Sequence, residues 1–197
     1  MKILNLYAGI GGNRKLLGDE HEVTAVEINE DIAGEYKSNF PNDTVIIGDA
    51  HEYLLRHYKE FDFIWSSPPC PTHSVLNYSM KVKRYPSMNL YQEIIFLKNW
   101  FKGKWVVENV RPYYEPHIKP TIELGRHIFW SNFHIQEKRF TNIDVARSTA
   151  EQLAKDLNFP VPNCQKARLL LRNCVKPELG LHIFNCAFKI QQKTLNI

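Results

Sequence analysis

The stretch Phe61-Asp-Phe-Ile-Trp-Ser-Ser-Pro-Pro-Cys-Pro-Thr-His-Ser74 limits what this chain can fold into more than any other. Its apolar run, Phe61 to Trp65, is rich in residues that favour extended backbone and reads as a buried parallel strand. Pro68 and Pro69 then force the chain out of the sheet and fix its direction. One thiol, Cys70, is thereby delivered to the carboxyl edge, where open α/β sheets bind ligands. A prolyl turn there holds a nucleophile in place at little further entropy cost. A lone cysteine after a strand is more often a small buried apolar side chain, so the neighbouring stretches decide between the two.

With 197 residues the chain suits a single domain over residues 1–197, with a core burying about 70% of the unfolded-state surface. No apolar run approaches the ~18 residues of a membrane span. Met1-Lys-Ile-Leu-Asn-Leu6 goes directly into a strand pattern, without the layout of a secretory signal. The expectation is a cytoplasmic protein with no membrane attachment. Cys70, Cys164, Cys174 and Cys186 form no C-x-x-C pair, so neither a metal site nor a disulfide framework is indicated and they read as reduced thiols. The net charge of +4 is compatible with a polyanionic partner.

Lys2 to Tyr7 reads as a strand, followed at once by Ala8-Gly9-Ile10-Gly11-Gly12 and a helical segment through Leu17. Strand, glycine turn and helix form a nucleotide-binding opening of a doubly wound fold, with Gly9, Gly11 and Gly12 letting backbone and ligand approach where a Cβ would intrude. The next strand, Glu22 to Ile28, puts Glu27 at its tip, where a carboxylate accepts two hydrogen bonds from a ribose diol. After a helix from Asp31 to Phe40, a strand from Thr44 to Ile47 ends in Gly48-Asp49-Ala50, with Asp49 placed to accept from an adenine amine. Three successive tips thus present Gly, Glu and Asp in the order an adenosine cofactor would use.

Helix Ala50 to Tyr58 returns the chain to the central strand. Beyond Ser74, Lys81, Lys83 and Arg84 lie between Tyr78 and Tyr85, a pattern that suits phosphates and unstacked bases. Helix Leu90 to Phe101 reads as core. Trp105 to Val110 is a buried strand carrying Glu108, whose pKa is expected to be raised because a carboxylate there is costly unless neutralised or paired. Such groups concentrate at functional sites. Arg126 opens a strand running to Phe133, and residues 134–146 are polar without clear period. Ser148 to Leu157 is a helix with Ser148-Thr-Ala-Glu151 as its capping box, and Lys176 to Phe188 is the last helix.

Together these stretches resemble the DNA cytosine-5 methyltransferase family, in the family's order and over nearly the whole chain. Leu6-Tyr-Ala-Gly-Ile-Gly-Gly12 looks like its first S-adenosylmethionine motif, and Ser67-Pro-Pro-Cys-Pro-Thr-His-Ser74 resembles its nucleophile motif. Glu108-Asn109-Val110 matches the Glu-Asn-Val motif, and Asn173-Cys-Val-Lys-Pro-Glu-Leu-Gly180 the closing Asn-Ser-Val-x-Pro motif. The resemblance implies a Rossmann-like, doubly wound, mostly parallel α/β sheet, S-adenosyl-L-methionine as cofactor and DNA as partner. It puts cofactor contacts on Tyr7, Ala8, Gly9, Gly11, Gly12, Glu27, Ile28, Asp49, Ala50, Pro68, Asn173 and Val175, with helix 176–188 completing the pocket. Cys70, Glu108 and Arg126 form the implied catalytic set, and DNA contacts are expected from Ser74–Pro86 and Arg111–Pro120.

The departures are specific. Pro71 replaces the usual glutamine, the paired-arginine motif retains only Arg126, and Arg172 and Cys174 replace Gly and Ser around Asn173. Between Phe133 and Arg147 the family's long target-recognition region is almost absent. Readout must therefore be short, come from the two loop segments, or be supplied by a specificity partner.

The implied chemistry needs each member of the set. A thiolate on carbon 6 turns cytosine into an enamine whose carbon 5 can accept a methyl group, and Cys70 supplies that thiolate, with Arg126 and loop cations expected to enlarge its ionised fraction. Protonated Glu108 donates to ring N3 and Arg126 binds O2, on a base flipped out of the duplex. An exocyclic-amine methyltransferase would carry an aromatic residue where Cys70 stands. An RNA cytosine-5 methyltransferase would share the set, and a catalytically silent DNA-binding relative would be expected to have lost at least one member.

Overall fold

The computed structural model describes residues 1–75, 80–82, 84–141 and 143–188. Seven strands form one sheet: β1 (Lys2–Leu6), β2 (Glu22–Glu27), β3 (Thr44–Ile47), β4 (Phe63–Ser66), β5 (Lys104–Val110), β6 (Ile122–Leu124) and β7 (His127–Ser131), in the order β3-β2-β1-β4-β5-β7-β6. β1 to β5 are parallel, and β7 runs antiparallel to both β5 and β6. Helices α1 (Glu30–Asn39), α2 (Ala50–His57) and α3 (Asn89–Trp100) connect the parallel strands; α4 (Ala150–Leu157), α5 (Ala167–Asn173) and α6 (Pro177–Phe188) follow β7. The sheet is the expected Rossmann-like, doubly wound one. Strand order reverses between β1 and β4, so a crevice opens at their carboxyl ends.

Alternation along the strands builds two layers. Leu4, Leu6, Ile64, Val107 and Trp130 face α2 and α3, which supply Leu54, Leu90, Ile94 and Leu97. Ile3, Phe63, Trp65, Val106 and Phe129 face the other way, onto Leu179, Ile183 and Phe184 of α6. Each such side chain contributes about 1.5–3 kcal/mol on burial, so α6 is part of the sheet's cover and not an appendage. A third cluster packs Ile10 of the glycine turn against Leu153 and Leu157 of α4 and Leu171 of α5.

Several local expectations are corrected. Residues 8–17 form successive turns instead of a helix: the N–H groups of Gly11, Arg14 and Leu17 donate to the carbonyls three residues back. Arg14 explains the arrest, because its buried guanidinium is drawn to Asp43 at 2.9 Å and to the Leu17 carbonyl. The capping box of α4 lies one residue later than expected, with Thr149 and Gln152 exchanging hydrogen bonds of 3.3 and 2.8 Å. Strand β6 and helix α5 were not expected. Residues 134–141 lie as coil against α6, where Gln136 accepts from His182 and Phe140 meets the His182 ring edge-on. Among the described residues, no helix is long and apolar enough to cross a membrane.

Candidate active site

The tips of β1, β2 and β3 bring the first group of residues together. Glu27 accepts from the Gly9 N–H at 3.1 Å through one oxygen and from the Asn29 N–H at 3.0 Å through the other. It therefore fixes the glycine turn, and each oxygen keeps a further acceptor position. Asp49 caps α2 through the Glu52 N–H at 2.9 Å. Beside these acids Ile28 and Ile47 stand 68% and 57% exposed, apolar side chains left uncovered at adjacent strand tips. Gly9 has φ 55°, and a Cβ there would enter open space. Open space above a glycine, spare carboxylate lone pairs and bare aliphatic side chains fit the adenosine portion of S-adenosylmethionine.

At Gly11 and Gly12 packing within the protein also requires glycine. A Cβ on Gly11 would overlap Tyr36 and Phe40 of α1, and one on Gly12 would meet Cys174 and the Val175 carbonyl. Ala8, Ala50, Pro68 and Val175 are buried, whereas Asn173 is exposed at the end of α5. Tyr7 turns its hydroxyl into the protein, donating to Glu93 at 2.5 Å.

The second group sits where β4 and β5 end side by side. Past Ser66 the chain leaves the sheet through the prolines, and the Asn109 amide on β5 donates to the Pro68 carbonyl at 2.9 Å. The His73 and Ser74 N–H groups close a turn on the Cys70 carbonyl at 2.9 and 3.1 Å. Glu108 lies within β5, opposite Phe129, and is 7% exposed. Burial raises its pKa from 4.5 to about 7, against the opposing pull of a Ser67 hydrogen bond and the Arg126 charge. The expected raised acid is present. Cys70 departs from expectation: burial and the neighbouring Glu108 push its thiol up, and Arg126 and Arg172 only partly offset them.

Arg126 is oriented by the carboxyl-terminal segment. Its Nη2 donates to the carbonyls of Arg172 and Cys174 at 2.6 and 3.1 Å, pinning the end of α5 to the β7 edge. The residue beside Glu108 is instead His127, with Nε2 3.7 Å from Oε1. Burial and the Arg126 charge drive the His127 pKa down to about 3, so it is neutral.

Sequence reasoning missed His127 and also Glu93, a carboxylate with no exposure. The signal for Glu93 was available: it interrupts the apolar stripe of Leu90, Ile94, Leu97 and Phe101 at helical spacing.

In the loops expected to meet DNA, Ser74 is hydrogen-bonded to the Cys70 carbonyl. Tyr78 and Lys83 fall outside the described residues. Tyr85 is 92% exposed and Val82 79%, and Lys81 and Arg84 are also exposed. The 111–120 segment is fastened inward: Tyr113 donates its N–H to the His73 carbonyl at 3.0 Å, and the Tyr114 hydroxyl meets His73 Nδ1 at 2.6 Å. Arg111 is paired with Glu123.

Residues 1–122 match the model of the family described as C-5 cytosine-specific DNA methylase. The Type II methyltransferase M.Bsp6I of Bacillus sp. (strain RFL6) is 28% identical over an alignment 179 residues long that covers 82% of this chain and 56% of that relative. The chain thus spans a little over half the length of the curated relative it matches. Among solved structures, a DNMT2 mutant from Spodoptera frugiperda is similar at 26% identity and a TM-score of 0.42, over 59% of this chain and 37% of that one. A SAM-dependent methyltransferase from Agrobacterium tumefaciens is similar at 17% identity and a TM-score of 0.43, over 58% and 40% of the two chains. With the family model matched over more than half its length, on the stretch that carries the glycine turn, Cys70 and Glu108, this chain belongs to the C-5 cytosine-specific DNA methylases.

Proposed function

We propose that this chain methylates carbon 5 of a cytosine flipped out of DNA, with S-adenosylmethionine as methyl donor and Cys70 as nucleophile. One observation carries the reading: the Cys70 thiol and an acid of raised pKa, Glu108, lie near the ends of adjacent strands, close enough for the Glu108 charge to raise the pKa of the thiol. S-adenosylmethionine would supply an electrophilic methyl group on a sulfonium, and Gly9, Glu27, Ile28, Ile47 and Asp49 are the residues that would hold it, with Glu27 suited to a diol and Asp49 to an amine.

The protein's own residues do the rest. Cys70 gives its proton to water, and its sulfur bonds to carbon 6 as the C5–C6 double bond of the ring opens. Electron density then moves toward N3, and Glu108, protonated up to about pH 7, donates there. A contact of this kind is worth on the order of 2–4 kcal/mol in the transition state. Arg126 holds the 172–174 segment in place and contributes positive charge near Cys70 and Glu108. After transfer water takes the carbon 5 proton, the S–C6 bond breaks to restore the C5–C6 double bond and release the Cys70 thiolate, and N3 returns its proton to Glu108. Residues 74–86 and 111–120 are the DNA-facing segments of this reading.

The test is a denaturation-resistant adduct with duplex DNA carrying 5-fluorocytosine, in the presence of S-adenosylmethionine and beside an RNA equivalent. Fluorine cannot leave as a cation, so the enzyme stays attached. The expected result is an adduct on DNA that maps to Cys70 and disappears in Cys70→Ala while cofactor binding persists. An adduct on RNA alone would reassign the substrate, and cofactor binding without any adduct would overturn the mechanism.

A further inference from the structure

The mechanism above leaves one buried acid without a task. Glu93 of α3 is fully enclosed, yet three polar groups from three other segments converge on it. The Tyr7 hydroxyl donates to Oε1 at 2.5 Å, the Ser66 hydroxyl to Oε2 at 2.5 Å, and His51 Nδ1 lies 3.3 Å from Oε1. A carboxylate in the core is expensive unless paired and hydrogen-bonded, and apolar residues fill the rest of this helix stripe. Packing alone gives no reason for an acid here.

The origin of the three partners supplies one. Tyr7 begins the glycine turn, at φ 55°. His51 belongs to the first turn of α2, two residues past Asp49. Ser66 is the last residue of β4, from which the chain passes to Cys70. Leu6 and Ser66 are register partners on β1 and β4, so the carboxylate spans the switch point beneath both halves of the site. We propose that Glu93 is a positioning residue that couples occupation of the cofactor turn to the placement of the Cys70 loop. This rests on the reading of the edge as a cofactor site next to a nucleophile.

A displacement of Tyr7 moves one oxygen of a rigid carboxylate, and the other oxygen holds Ser66. His51 steadies the same carboxylate, and its own Nε2 is buried with no hydrogen-bond partner among the described residues, so the described hydrogen bond of its ring is the one to Glu93.

The measurement is the alkylation rate of Cys70 by iodoacetamide, read by peptide mapping, with and without S-adenosylhomocysteine, whose binding is followed separately by equilibrium dialysis. In the wild type the bound nucleoside is expected to change the Cys70 rate severalfold. Glu93→Gln is expected to bind it and to lose most of that change. Ser66→Ala, which leaves the carboxylate and its Tyr7 contact in place, is expected to lose it as well, and adding Tyr7→Phe to Ser66→Ala is expected to remove nothing further, because the links act in series. An unaltered change in Ser66→Ala or Glu93→Gln, or none in the wild type, would overturn the coupling. Failure to bind the nucleoside at all would overturn the cofactor reading instead.

Discussion

Cys70 is held short of its reactive form chiefly by burial, and charged neighbours of both signs adjust the balance. Burial raises its pKa first and Glu108 raises it further; Arg126 and Arg172 pull it down by less. Arg126 therefore acts in the expected direction and enlarges the thiolate fraction, but burial and Glu108 outweigh it. Removing the carboxylate should release the thiol. Glu108→Gln is predicted to speed alkylation of Cys70 severalfold at pH 8, where the native acid is ionised, and Arg126→Gln to slow it. Peptide mapping after iodoacetamide separates Cys70 from Cys164 and Cys186, which are also partly accessible. An unchanged rate in Glu108→Gln would mean that the two groups do not communicate. The enzyme would then gain thiolate only as substrate arrives and Glu108 is held protonated against N3, which removes the repelling charge at the moment the nucleophile is needed.

At the scale of elements, the strands were legible because burial on both faces writes a nearly continuous apolar run, as in Phe63 to Trp65, and each run ends in a residue type that suits a sheet edge. Helices α1, α2, α3 and α6 followed from their spacing to within a residue or two. What the sequence could not carry was set by residues far along the chain. Gly12 reads as a ligand-facing glycine, and nothing near it in sequence tells that Cys174 and Val175 also leave no room for a Cβ. Strand β6, of three residues, and α5, of seven, are too short to print a period. His127 and Glu93 drew no notice because their partners come from other elements.

Three substitutions test this arrangement. Gly12→Ala is predicted to cost about 1–3 kcal/mol by overpacking and to loosen the end of α5 that Arg126 pins. At the start of α4, Thr149→Ala should cost about 1 kcal/mol while Ser148→Ala leaves the cap intact, since only Thr149 accepts from the Gln152 N–H. Thermal melts of the three variants decide it, and equal shifts for Thr149→Ala and Ser148→Ala would return the cap to the position expected from sequence.

For the whole molecule, the site makes stability depend on pH in two opposed ways. Glu108 has a folded pKa raised from 4.5 to about 7, so the folded state binds more protons than the unfolded chain in that window. Its contribution is fully present below pH 4.5 and is lost as pH rises through 7, at up to about 1.4 kcal/mol per pH unit and roughly 3 kcal/mol in all. His127 is depressed from 6.5 to about 3. Its contribution is present above pH 6.5 and is lost as pH falls toward 3, with a slope of the same size and opposite sign. Between pH 4.5 and 6.5 the two slopes cancel, and the protein tolerates an uncharged acid beside an uncharged imidazole with little pH dependence from either. Glu108→Gln removes one slope and exposes the other. Measured by urea unfolding, the stability difference between Glu108→Gln and wild type should move in the variant's favour by about 3 kcal/mol from pH 4.5 to pH 7, and His127→Gln should shift in the opposite sense, losing its advantage at low pH as pH rises to 6.5. A flat difference for Glu108→Gln across that window would mean that Glu108 ionises in the folded protein as it does in the unfolded chain. The same result would remove the proton that the proposed mechanism delivers to N3, so a stability measurement made without DNA or cofactor bears directly on the chemistry.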